Sequence, residues 1–155
     1  MDLSIKIIDF REELAEHFKR LNKAWLQKYF TIEPVDEQML SNPKHFFIDT
    51  GGYIFFAEIN GVIAGTFALI KNDNNIFELS KMAVDEQYQG LKIGNRMIEF
   101  CIVKAKELKI TKIILYSNTK LKPAIHLYKK YGFIEVPIIN SIYKRSDIKM
   151  ELVIN

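Results

Sequence analysis

Apolar and polar residues alternate along Leu3-Ser4-Ile5-Lys6-Ile7, the period-two pattern of a half-buried strand. Asp9 then precedes Glu12 by three, a capping-box-like start for a helix. That helix is predicted to run to about Tyr29, with Leu14, Phe18, Leu21, Trp25 and Leu26 along one face. Pro34 breaks it, Asp36 caps a short second helix through Leu40, and Asn42-Pro43 ends that one. Gly51-Gly52 opens a sheet region. Residues 53–59 and 62–70 read as strands joined at Asn60-Gly61, a strong hairpin signal. A turn at Asp73-Asn74-Asn75 leads into a further strand at 76–84.

After residue 90 the period changes. Ile93, Met97, Cys101, Ala105 and Leu108 fall on one helical face, so Cys101 reads as a small core residue. Residues 112–117 read as a buried strand. Pro123 sits in the first turn of another helix, which Gly132 ends. Residues 133–139 and 147–154 read as closing strands. The expected order is β-α-α-β-β-β-α-β-α-β-β, a mixed-sheet α/β fold, taken as one domain over 1–155.

The 155 residues can bury a sizeable core. No apolar run reaches the roughly 20 residues that span a bilayer. The N-terminus shows no basic segment followed by an apolar one, so neither a signal peptide nor a membrane association is expected. A single cysteine excludes an internal disulfide and suits a cytoplasmic location. His17 and His45 lack partners at ligand spacing, and His126 lies off its helix's apolar stripe, so no metal is expected.

The net charge of +3 hides an asymmetry: residues 1–89 hold nine Lys/Arg against fourteen Asp/Glu, and residues 90–155 thirteen against five. Both sets can simply coat solvated faces. The functional alternative is a basic half for an anionic ligand and an acidic half for a cationic one. No zinc-finger spacing or RNA-binding aromatic motif supports a nucleic-acid partner.

Gln89-Gly90-Leu91-Lys92-Ile93-Gly94 links the strand at 76–84 to the following helix. A glycine turn at a helix start gathers free backbone N–H groups at the positive end of the helix dipole, a seat for phosphate. This turn, the preceding Glu78-Leu79-Ser80-Lys81-Met82-Ala83-Val84-Asp85 and the later Ala124-Ile125-His126-Leu127-Tyr128-Lys129-Lys130-Tyr131-Gly132-Phe133 occur in a telling order. Together they resemble the GCN5-related N-acetyltransferase (GNAT) superfamily. The turn is similar to its Gln/Arg-x-x-Gly-x-Gly/Ala motif, and the last segment to Ala-x-x-Leu-Tyr-x-x-x-Gly-Phe. The resemblance covers roughly residues 53–136, the expected cofactor-binding core, and leaves about 1–50 as the acceptor side.

The resemblance implies acetyl transfer from acetyl-coenzyme A to a primary amine of a small molecule or peptide. It implies cofactor contacts from Met82, Ala83 and Val84, from Gln89, Gly90, Leu91, Lys92, Ile93, Gly94 and Asn95, and from Ala124 and Tyr128. Asn118 either contacts the cofactor or shapes its turn. Lys92 stands where the family usually has glycine. A helical backbone there would accept lysine and add a charge for phosphate, and this reading is preferred to one requiring positive φ. An attacking amine must lose a proton, and Glu78 is the expected base, directly or through water. If no bulge intervenes, alternation puts Glu78, Ser80 and Met82 on one face. Tyr128 is the expected acid for the departing thiolate. Trp25, Tyr29 and Glu33 are expected near the acceptor. Transfer of a longer acyl group and a non-catalytic coenzyme A-binding module stay open, as does homodimerisation.

Overall fold

Apolar residues on both faces of a central sheet determine how the chain packs. The computed structural model describes residues 4–73, 75–139 and 144–155. Leu3 of the first expected strand and Asn74 of the expected turn lie outside these. The elements follow the expected order: β1 (Ile5–Asp9), α1 (Ala15–Tyr29), α2 (Pro34–Ser41), β2 (Tyr53–Ile59), β3 (Val62–Lys71), β4 (Ile76–Val84), α3 (Ile93–Glu107), β5 (Lys112–Ser117), α4 (Lys122–Lys130), β6 (Ile134–Val136) and β7 (Ile148–Val153). The strands form one sheet in the order β1-β2-β3-β4-β5-β7-β6, antiparallel except for the β4–β5 pair.

One face of the sheet carries Phe55, Phe67, Leu69, Phe77, Leu79 and Leu115. Ile93, Met97, Cys101 and Ala105 of α3 cover it, with Leu127 and Tyr128 of α4 alongside. The other face carries Ile54, Phe56, Ala68 and Ala83 beneath Phe18, Leu21 and Leu26 of α1 and Leu40 of α2. The helices therefore sandwich the sheet, with α1 and α4 on opposite sides. Cys101 is buried, and desolvation pushes its thiol up to about 12, as a core residue should be.

Two helix starts differ from the sequence reading. Asp9 is the last residue of β1, paired with Phe55, so it does not cap α1; a short 3₁₀ turn at Glu12–Leu14 leads in. Glu33, not Asp36, caps α2. Asp36 is its third helical residue and accepts the Glu33 backbone N–H at 2.9 Å, completing a reciprocal capping box. Pro34 thus begins that helix. A π-helical turn at Lys44–Ile48 and a 3₁₀ turn at Glu86–Tyr88 carried no periodic signal in the sequence.

The feature that makes room for a ligand is a short ladder. β4 and β5 pair only from Ile76–Lys112 to Glu78–Ile114. Beyond that point β4 continues beside β3, and β5 beside β7. The two strands diverge, and the sheet is open between them.

Candidate active site

A cleft of about 830 Å³ fills the opening between β4 and β5. Its walls include Trp25, Tyr29 and Phe30 from one side of the sheet and Ala124, Leu127 and Tyr128 from the other. It therefore passes through the sheet and reaches both faces.

At one end lies the turn into α3. Gly90 has φ +85° and Lys92 has φ 62°, ψ 31°, both left-handed. The expectation of a helical Lys92 is corrected here: the position is the N-cap of α3 and needs positive φ, the conformation that glycine adopts without a Cβ clash. No side chain caps the first turn of α3, and the turn holds no acid. Its N–H groups are thus available to an anion in the cleft, which Gln89, Gly90, Lys92, Ile93, Gly94 and Asn95 line. Leu91 is exposed and does not line the cleft. Lys92→Gly is expected to stabilise the fold by about 1 kcal/mol, which a thermal scan would read as a rise of roughly 2–4 °C in Tm. A lower Tm would mean that contacts of the lysine outweigh its backbone strain.

The wall formed by β4 contains a bulge. Thr66 pairs with Ala83 and Ala68 with Ser80, so β4 carries one extra residue there. Lys81 holds φ 54° within it. The alternation slips accordingly. Phe77 and Leu79 face the α3 side, and so do Met82 and Val84, while Ala83 faces the α1 side. Glu78 and Met82 are therefore on opposite faces, which corrects the unbulged reading of the strand.

The bulge directs Lys81 toward α2. Its ammonium lies 2.9 Å from Asp36, with the two side chains only 3% and 0% exposed. Asp36 also receives a two-pronged contact from Arg145, at 2.9 and 3.0 Å, and Arg145 reaches Glu33 at 2.9 Å. Burial by itself would raise the Asp36 carboxyl, but bonds from Arg145 and the charge of Lys81 hold it below its usual value. This cluster joins α2, the bulge and the segment before β7. Glu33 serves it as cap and ion partner and does not line the cleft.

Glu78 stands where the β4–β5 ladder ends. It is 9% exposed, and desolvation raises its carboxyl to about 7, against an opposing pull from Lys81. Burial and then the Glu78 charge raise the Tyr116 phenol, which places Tyr116 within electrostatic reach of that carboxylate. Across the sheet, Tyr128 is half-buried against Phe133, with ring centroids 5.9 Å apart. Desolvation pushes its phenol up to about 12, so it keeps its proton at neutral pH. Ala124 and Leu127 share its face of α4, as the spacing predicts, and all three line the cleft. Asn118 donates to the Arg145 carbonyl at 2.6 Å and accepts the Lys120 N–H at 2.9 Å, so it shapes the turn after β5 while also lining the cleft.

Trp25 and Tyr29 form the α1 wall, with ring centroids 5.5 Å apart. Lys120 crosses to this wall: its ammonium donates to the Tyr29 carbonyl at 2.9 Å and lies 4.1 Å from the Phe30 ring centroid. Lys81, Arg145, Lys120 and Tyr116 were not singled out by sequence, and Asp36 only as a helix cap. For Lys81 a signal existed: two consecutive polar residues, Ser80 and Lys81, interrupt the apolar alternation. Among the described residues no group of His, Cys, Asp and Glu could hold a metal ion, and no helix is long and apolar enough to cross a membrane.

Comparison with known proteins agrees with this architecture. The model of the acetyltransferase (GNAT) family matches residues 12–133. The chain is 26% identical over 158 residues to an uncharacterised N-acetyltransferase of Schizosaccharomyces pombe, an alignment spanning 95% of this chain and 96% of that protein. A GNAT-family acetyltransferase from Staphylococcus aureus Mu50 superposes with a TM-score of 0.87 at 28% identity, over 98% of this chain and 100% of that one. The fold is shared by YncA from Salmonella typhimurium, solved with its cofactor acetyl-CoA, at a TM-score of 0.77 and 14% identity over 97% and 94% of the two chains. With most of its length matched by the family model, the chain belongs to the GNAT acetyltransferase family and is an acyltransferase.

Proposed function

We propose that this protein transfers the acetyl group of acetyl-CoA directly to a primary amine, with Glu78 accepting the amine's proton and Tyr128 protonating the departing sulfur. The observation that carries this reading is the cleft through the sheet, with a desolvated carboxylate on one side and a protonated phenol on the other. The two groups titrate far apart, near 7 and near 12, so at neutral pH one can take a proton while the other still holds one.

The residues fit the cosubstrate. The uncapped N–H groups at the start of α3, with Lys92 beside them, suit a pyrophosphate. The edge of β4 around Met82 and Val84, separated from β5, can bond an amide-bearing arm as an added strand would. Bound acetyl-CoA would supply an activated carbonyl and a thiolate leaving group. Glu78 would receive the nitrogen's proton on the α1 side, directly or through one water. Ala124, being small, leaves room for the sulfur to approach Tyr128 from the α4 side.

Thiol release from acetyl-CoA in the presence of mixed primary amines tests the reading. Amine-dependent release is expected; acetyl-CoA binding without release would make the protein a binder instead. Tyr128→Phe removes only the hydroxyl. It is expected to lower kcat about 10²-fold, the lower end for a lost general acid, and to leave acetyl-CoA Kd nearly unchanged. Weakened binding with normal kcat at saturation would make Tyr128 a wall of the groove and not an acid.

A further inference from the structure

Of the acids in residues 1–89, Glu78 alone among the described residues lines the cleft. Its ionised walls are Lys28, Lys81, Lys92, Lys120 and Arg145, with Glu78 the only carboxylate among the described lining residues. The nearby acids are bound to basic side chains: Asp36 and Glu33 by Lys81 and Arg145, Asp85 by Arg20, and Glu86 by Lys28. The fold thus uses these acids to hold its own elements together and presents none of them to a ligand.

Lys120 differs from the other cations on the α1 side. Among the described residues it meets no carboxylate; its ammonium rests on the Tyr29 carbonyl and the Phe30 ring. Arg145 lies 5.9 Å from the centroid of the same ring. The mouth on this side is therefore an aromatic surface on which the charge of Lys120 is offset by no bonded carboxylate, whereas Arg145 is held by Asp36 and Glu33. A polycationic acceptor would place a second ammonium there, and like charges brought together cost affinity. An anionic group would be attracted, and of the three donors of the Lys120 ammonium one is taken by the Tyr29 carbonyl, leaving the others for it.

Given acetyl transfer in this cleft, we infer that the acceptor is a primary amine whose far end carries a carboxylate, with Lys120 receiving that end. The spacing sets the type. Glu78 is level with Ile114, and Lys120 follows Ser117 at the end of β5. Three residues of strand separate the level of Glu78 from the end of β5 by roughly 10 Å at about 3.3 Å per residue, and Lys120 lies beyond that end. The carboxylate therefore stands several bonds from the amine, as in an ω-amino acid, and not on the adjacent carbon.

Three acceptors of one chain length isolate the charge at the far end: 6-aminohexanoate, hexylamine and 1,6-diaminohexane, compared by acetyl-CoA thiol release at low salt. The expected order of kcat/KM is 6-aminohexanoate first, by about tenfold over hexylamine, and the diamine last, with the spread narrowing as salt is added. Lys120→Gln should level the series and Lys120→Glu should favour the diamine, each acting on acceptor KM while acetyl-CoA Kd holds. Hexylamine or the diamine ranking first in the native protein would overturn the inference, as would no turnover of any of the three. So would a Lys120→Gln variant that loses acetyl-CoA affinity and keeps the native order, since the lysine would then serve the cofactor's phosphates. These outcomes leave the parent reading standing if other amines release thiol; that reading fails only when no amine does.

Discussion

Asp36→Ala should destabilise the protein by about 3–5 kcal/mol, the range for removing one partner of a buried ion pair. The reason lies in what remains. Asp36 is fully buried and bonded to both Lys81 and Arg145, and its carboxylate accepts the N–H of Glu33 as half of a capping box. Alanine deletes all of these together. Arg145 would keep Glu33, but the Lys81 ammonium would lose the carboxylate it is bonded to, in a site 3% exposed. Lys81→Met should cost less, because Asp36 keeps its Arg145 bonds and the thioether fills the lysine's volume. Urea unfolding midpoints of both variants and of the double variant close a mutant cycle, which separates the pair's interaction from each side chain's packing. Equal losses for the two single variants would show that Arg145 contributes little at this position.

The pH dependence of that difference follows from the direction of the Asp36 shift. Its carboxyl is held below the usual 3.8. The folded state therefore binds that proton less readily than the unfolded one. The stabilisation is fully present above the usual value and is lost as pH falls through the lower native value. The gap between Asp36→Ala and the native protein should thus be constant at neutral pH and shrink only in acid.

Long periodic segments were legible from sequence because one periodicity governed them. The stripe Ile93, Met97, Cys101, Ala105 and Leu108 packs as its spacing predicts, and the β2–β3 turn falls at Asn60-Gly61. The site was legible in part for a different reason. The α3 turn and the Ala124–Leu127–Tyr128 face are local in sequence, so their residues could be named before their surroundings were known. What escaped was non-local or irregular. Nothing near Asp36 in the chain announces Lys81 or Arg145, which arrive from 45 and 109 residues away. The β4 bulge is a single-residue slip, and strict alternation across it sends every later side chain to the wrong face. Lys92 misled because residue type argues for a helical backbone there, while the chain path into α3 imposes positive φ. Glu33 was assigned by its charge; its role as N-cap and Arg145 partner depends on where α2 begins.

The bulge and the ion cluster also account for the environment of Glu78. With Lys81 drawn to Asp36, Glu78 is left at the end of the β4–β5 ladder with most of its surface covered. Desolvation then dominates its titration, and the charge of Lys81 offsets only part of it. A carboxylate with an ordinary value would be a weak base toward an alkylammonium of pKa about 10.4. One near 7 is a stronger base and is still about half ionised at neutral pH.

Glu78→Gln should make the enzyme slower and, above neutral pH, more stable. The amide keeps the shape of the side chain and cannot take a proton, so kcat is expected to fall by about 10²–10⁴ with acetyl-CoA affinity retained. The native pH–rate profile should rise through about 7 as Glu78 ionises, and this limb should be absent from the variant, leaving only the limb set by the amine itself. Stability moves the other way. The carboxyl titrates near 4.5 when unfolded and near 7 when folded, so between those values the native state holds a proton that the unfolded chain has released. Native stability therefore declines as pH rises across this window, by an amount on the order of 3 kcal/mol at about 1.4 kcal/mol per pH unit. Glutamine carries no such penalty. The variant should match the native protein near pH 4.5 and exceed its Tm at pH 8. Reduced activity with an unchanged rate limb would point to a base other than Glu78. A variant less stable at pH 8 would mean that the ionised carboxylate is better solvated than its burial implies.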